Sequence, residues 1–125
     1  MKIKKTKFKG LNVVQGISFY DNRGFFREIF KEKLLKKYKP IFWCISKSKK
    51  GVLRGLHLQK KNKQAKFISV LKGKILDVVV DLRSNSKTFG KHFKIELSEK
   101  NSKSLIIPRG FAHGFLCLGK ENIVL

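Results

Sequence analysis

Two segments of the chain close on histidines, GVLRGLH over residues 51–57 and PRGFAH over residues 108–113. A free imidazole is largely neutral near pH 7, so His57 and His113 are groups able to accept or return a proton there. Between them stand Gln59 and Lys66. An ammonium among the donors repels a divalent ion, because metal ligands must be neutral or anionic. The residue types therefore predict acid/base chemistry with no metal and no cofactor.

The spacing of these residues is similar to that of the cupin barrels, in which two histidine-bearing strands face one another. The metal-binding version of the first cupin motif runs glycine, five residues, histidine, one residue, histidine, then a glutamate and a glycine seven residues beyond it. Here that frame reads Gly51, His57, Gln59, Lys66 and Gly73. The second motif is met by Pro108, Gly110 and His113, with Cys117 in the place of an asparagine. One histidine and the glutamate are replaced while the frame is kept, so the barrel is expected without its ion.

Strands have to position these groups, and the apolar pattern supplies them. Phe93, Ile95 and Leu97 alternate with Lys94 and Glu96, the period of a strand with one buried face. FISVL and ILDVVVDL, within residues 65–82, read as two strands of a hairpin turning on Gly73. Further strands are predicted over 11–19, 25–30, 41–46, 52–59, 104–107 and 112–118, and the final NIVL reads as another. One short helix is predicted over 31–38, where Leu34 and Leu35 sit among lysines. Turn-forming residues cluster at 21–24, 84–86 and 98–101. Many short strands between such turns predict an all-β, cupin-type jelly roll in a single domain over residues 1–125.

Composition agrees with one folded domain. The 125 residues are 42% hydrophobic with eleven phenylalanines, whereas disordered basic tails are poor in aromatics. The net charge of +22 favours anionic ligands. The lysines spread over the whole chain and no nucleic-acid-binding motif accompanies them, so no nucleic-acid partner is predicted. Cys44 and Cys117 form no CxxC pair, and neither a signal-like apolar run nor a membrane-length segment is present. These features predict a cytoplasmic protein with no membrane partner.

Six strings, in order, resemble the dTDP-4-dehydrorhamnose 3,5-epimerase family: DNRGFFRE (21–28), SKSKKGVLRGLHLQ (46–59), QAKF (64–67), GKILDVVVDLR (73–83), S-x-T-F-G (86–90) and IPRGFAHGF (107–115). The resemblance implies a metal-free, usually dimeric jelly roll acting on the nucleotide sugar dTDP-4-keto-6-deoxyglucose in activated L-rhamnose synthesis. Inverting a carbon beside a ketone needs a base for the α-proton, a group to hold the enolate oxygen and an acid for the other face. His57 is the predicted base and Lys66 the predicted enolate stabiliser. By resemblance, His113 contacts substrate, Arg54 and Arg23 bind the diphosphate, and Phe26 and Glu28 line the nucleotide site. A guanidinium suits bidentate phosphate contacts better than an ammonium. Asp77 shares a strand face with Val79 and Asp81 and is a candidate for an inward carboxylate that orients a histidine.

Two departures from the family pattern stand out. Phe42-Trp43-Cys44 replaces a Gln-Asp-Asn segment that in the family helps recognise the nucleotide. This leaves open a related sugar-nucleotide ketoisomerase, a non-catalytic binding module or a basic interaction protein. The family's tyrosine acid and its later carboxylate fall past Leu125, so the domain is expected to be incomplete at its C-terminal end.

Overall fold

The computed structural model describes residues 1–35 and 42–125. Its strands are β1 (Lys2–Lys5), β2 (Asn12–Gln15), β3 (Ser18–Asp21), β4 (Gly24–Arg27), β5 (Ser46–Lys49), β6 (Leu53–His57), β7 (Lys66–Lys72), β8 (Lys74–Asp81), β9 (His92–Ser98), β10 (Lys103–Ile107), β11 (Phe111–Cys117) and β12 (Glu121–Val124). A single helical turn, α1 (Glu32–Leu35), separates β4 from β5. Six strands form one sheet in the order β1-β2-β10-β7-β12-β5, and four form the other in the order β6-β11-β8-β9. Among the described residues, β3 and β4 form a two-stranded sheet of their own.

The two larger sheets close on one core, the sandwich expected of a jelly roll. Period-two alternation places Ile75, Asp77, Val79 and Asp81 on the buried face of β8, while Leu97 from β9 and Leu105 and Ile107 from β10 meet them from their own strands. Phe8, Leu11, Val70, Phe111 and Phe115 fill the space between. Phe8 packs edge-on against both Phe93 and Phe111, at 6.1 and 6.3 Å between centroids, a preferred aromatic geometry.

Several sequence expectations need correction. The strand predicted over 11–19 is two strands in different sheets, broken at Gly16, whose backbone N–H donates to Ser102 O at 2.8 Å. A Cβ at Gly16 would stand 2.8 Å from that same carbonyl, so the crossing there is steric as well as hydrogen-bonded. No strand covers residues 42–45; the strand falls instead on Ser46–Lys49, where alternating Ser and Lys give no apolar signal. β1 is likewise lysine-rich and was not legible. Of the helix predicted over 31–38, residues 36–38 lie outside the described residues, as does Ile41 of the expected 41–46 strand.

The β7–β8 hairpin is the most instructive error. Gly73 does take the left-handed conformation, at φ +83°, which glycine adopts without steric cost. Yet β7 pairs with β10 and β12, whereas β8 pairs with β11 and β9. Gly73 is a corner where the chain passes from one sheet to the other, and its neighbours Glu121 and Asn122 leave no room for a Cβ.

Candidate active site

β6 and β11 run antiparallel with His57 directly opposite His113. Cross-strand neighbours on one face have their Cβ atoms about 5 Å apart, so the pairing brings the two imidazoles together. Glycines make the approach possible. A Cβ at Gly55 would stand 2.6 Å from His113 O, and one at Gly114 would stand 2.6 Å from Arg54 O. The register shifts between His113 and Phe115, directly across from Gly55, a bulge that re-aims the side chains around it.

His57, Lys66, His113 and Arg54 all line one open cleft of about 1640 Å³. That volume accommodates a ligand larger than the usual drug-sized occupant of a protein pocket. Beneath it, His113 Nε2–H donates to Asp77 Oδ2 at 2.8 Å, and both side chains are buried. Asp77 Oδ1 is buried with no hydrogen-bond partner among the described residues. Lys66 is held below the ordinary lysine range by partial desolvation, with attraction from Asp77 and Cys44 opposing that shift. A half-buried ammonium of this kind is a stronger partner for a developing oxyanion than a solvated one.

Three expected site residues stand elsewhere. Arg23, with its side chain 90% exposed, is clamped onto Asp21 at 2.7 Å in the β3–β4 turn. Phe26 is 67% exposed on β4, so it is not a core residue. Glu28 pairs with Lys31 at 2.8 Å. None of the three lines the cleft of its own chain. Arg54 does line it, braced by Nε–H donation to Ser48 Oγ at 2.9 Å.

Sequence reasoning passed over Arg83 and Arg109, which also line the cleft. The signal was available: the chain's arginines are Arg23, Arg27, Arg54, Arg83 and Arg109 among thirty basic residues, and a lysine-biased sequence that keeps a guanidinium marks a place where its fork matters. Arg83 is fixed by a double contact to Asp81 and by stacking on Phe111, 4.6 Å from the ring centroid.

Comparison with known proteins identifies the family and the fold. A family model described as dTDP-4-dehydrorhamnose 3,5-epimerase matches residues 5–125. The chain is 41% identical over 124 residues to the dTDP-4-dehydrorhamnose 3,5-epimerase of Methanothermobacter thermautotrophicus, covering 96% of this chain and 67% of that protein. The crystal structure of the Elizabethkingia anophelis dTDP-4-dehydrorhamnose 3,5-epimerase superposes with a TM-score of 0.86 at 45% identity, over 99% of this chain and 71% of that one. A Legionella pneumophila epimerase solved in complex with dTDP-4-keto-L-rhamnose gives 0.89 at 39% identity, over 98% and 68%. The chain thus spans about two thirds of the length of these relatives. With the match running through both histidine strands and the sandwich that carries them, the chain belongs to the dTDP-4-dehydrorhamnose 3,5-epimerase family.

Proposed function

We propose that the chain acts as a sugar-nucleotide epimerase, taking dTDP-4-keto-6-deoxyglucose and inverting C3 and C5 by proton abstraction beside the ketone. The observation that carries this reading is the convergence of His57, Lys66 and His113 on one cleft. His57 is the base: its imidazole takes the α-proton as the C–H electron pair moves into the enolate, and a proton drawn from solvent returns to the opposite face of the carbon to complete the inversion. Lys66 holds the enolate oxygen, supplying positive charge where negative charge develops. Asp77 fixes the ring of His113 through its buried hydrogen bond, so His113 presents a fixed edge to the sugar. Arg54 and Arg109 hold the diphosphate, and the Arg83 guanidinium, fixed on Asp81 and Lys9 O, adds positive charge beside it.

Incubation with dTDP-4-keto-6-deoxyglucose in deuterium oxide tests the reading. NMR is expected to show deuterium entering at C3 and C5. A substrate that keeps its protons at both carbons overturns it.

The reading extends to a cytoplasmic homodimer. Phe19, Tyr20, Phe25 and Phe26 are all exposed on the isolated β3–β4 hairpin, and the same hairpin holds Arg23, whose family role is in the substrate site. A second copy that covers this hairpin and receives Arg23 and Phe26 at its cleft reconciles the two. Sedimentation at micromolar concentration is expected to find a dimer. Phe26→Glu should weaken that dimer by about 30-fold, the loss of a central aromatic anchor worth about 2 kcal/mol. A monomeric parent protein, or a variant that sediments like the parent, excludes this assembly.

A further inference from the structure

Part of the cleft lining is aromatic and is not used by the proton-transfer chemistry. Phe42, Trp43 and Ile45 line the cleft, yet they remain 63%, 47% and 66% exposed. The indole is held by its neighbours: Phe30 and Phe67 meet it edge-on, at 5.2 and 6.2 Å between centroids. T-shaped contacts of this kind fix the plane of the ring. The same cleft carries Arg54, Arg83, Arg109, Lys63 and Lys66. A set plane of aromatic carbon beside a cluster of cations has the chemistry to hold a flat heterocycle at one end and a diphosphate at the other.

From this we infer that Trp43, with Phe42, is the nucleobase platform of the cleft, and that it recognises the base by its face, so that nucleoside diphosphates with different bases bind alike. The inference rests on the epimerase reading only for the identity of the sugar, not for the nucleotide end. Edge recognition needs fixed donors and acceptors, and residues 42–45 are Phe, Trp, Cys and Ile. The amides that line the cleft, Asn62 and Gln64, sit instead on the segment leading to Lys66. Every base presents a π face, and stacking on an aromatic side chain is correspondingly tolerant of base identity. A site that hydrogen-bonds a particular edge discriminates far more strongly.

Trp43 is the only tryptophan in the chain, so its emission reports the platform directly. Titration of the full chain with dTDP, UDP, ADP and GDP, corrected for absorbance against free tryptophan, is expected to quench that emission with dissociation constants within about tenfold of one another. Isothermal titration calorimetry of Trp43→Ala should show all four weakened together, by about 5- to 150-fold. Trp43→Phe keeps a ring in the same frame of aromatic neighbours and should lie within about fivefold of the parent. A spread wider than tenfold among the four, or a Trp43→Ala variant that binds as the parent does, overturns the inference. So does a Trp43→Phe variant as weak as Trp43→Ala. The two readings fail separately. Equal binding of the four nucleotides without deuterium exchange removes the epimerase and leaves the platform, whereas exchange accompanied by strict preference for dTDP does the reverse.

Discussion

His57→Ala is expected to slow deuterium entry into the keto sugar by about 10²–10⁴-fold, the usual contribution of a positioned general base. The effect should fall on turnover and leave binding of dTDP within a few-fold of the parent, because Arg54, Arg83 and Arg109 remain in the cleft. His57 is exposed on the edge strand β6, so its truncation opens no cavity and the fold should survive. His57→Gln, which keeps a hydrogen-bonding side chain but no titratable nitrogen, should be equally slow. Exchange at the parent rate in either variant would assign the base to another residue. Full exchange in His57→Ala together with its loss in His113→Ala would move that role across the strand pair.

A second large effect is expected from a carboxylate that never meets the substrate. Asp81 is fully buried and accepts hydrogen bonds from Arg83 Nε and Nη2 at 2.8 and 2.7 Å and from the hydroxyls of Ser86 and Thr88, each at 2.6 Å. Burial pushes its carboxyl up, but the contacts from Arg83, Ser86 and Thr88 outweigh that and hold it well below the usual carboxylate range. Asp81→Asn leaves the guanidinium of Arg83, partly exposed in the cleft, facing a neutral amide. Because solvent reaches that guanidinium, the loss is expected to be about 1–3 kcal/mol, the size of a lost charge-assisted hydrogen bond, and below that of a fully buried pair. Urea unfolding at pH 7 should register this as a lower midpoint at unchanged slope.

The pH dependence follows from the sign of the shift. A carboxyl whose folded pKa is depressed contributes stability that is present in full above its unfolded value, about 3.9, and is lost as pH falls through the folded one. The parent protein should therefore lose stability on acidification below about pH 4 more steeply than Asp81→Asn does. Parallel acid limbs for the two proteins would show that the Asp81 carboxylate contributes nothing of this kind. Because Arg83 both lines the cleft and leans on Asp81, the variant should also bind diphosphate less tightly.

The sandwich was legible wherever burial wrote a period of two into the chain, as in β8 and β9. It was illegible where a strand is held by backbone pairing alone. β1 and β5 are strings of lysine, serine and isoleucine at sheet edges, and nothing in their side chains distinguishes them from loops. The Gly73 corner was misread for a related reason: the local conformation of a tight turn is the same whether the chain returns to its own sheet or leaves it. His57, Lys66 and His113 were readable because motif spacing in a barrel fixes which residues share the mouth. Arg23, Phe26 and Glu28 were placed in the site by resemblance, and the geometry of one chain has no means of bringing them there. Asp77 was readable as inward from its alternation with Val79 and Asp81, but its choice of His113 over His57 depends on the register of β8 against β11, which no local pattern encodes.

The Gly73 corner has a mechanical meaning as well. Lys66 rides on β7 in the six-stranded sheet, while His57, Asp77 and His113 ride on β6, β8 and β11 in the four-stranded one. Apart from the connecting backbone, the distance from ammonium to imidazole is set by how the two layers seat on Val70, Ile75, Val79 and Leu105. A close-packed interior transmits displacement instead of absorbing it. Shear between the layers therefore changes the separation of Lys66 from the two imidazoles, and the aliphatic filling of the sandwich acts as the spacer that sets it.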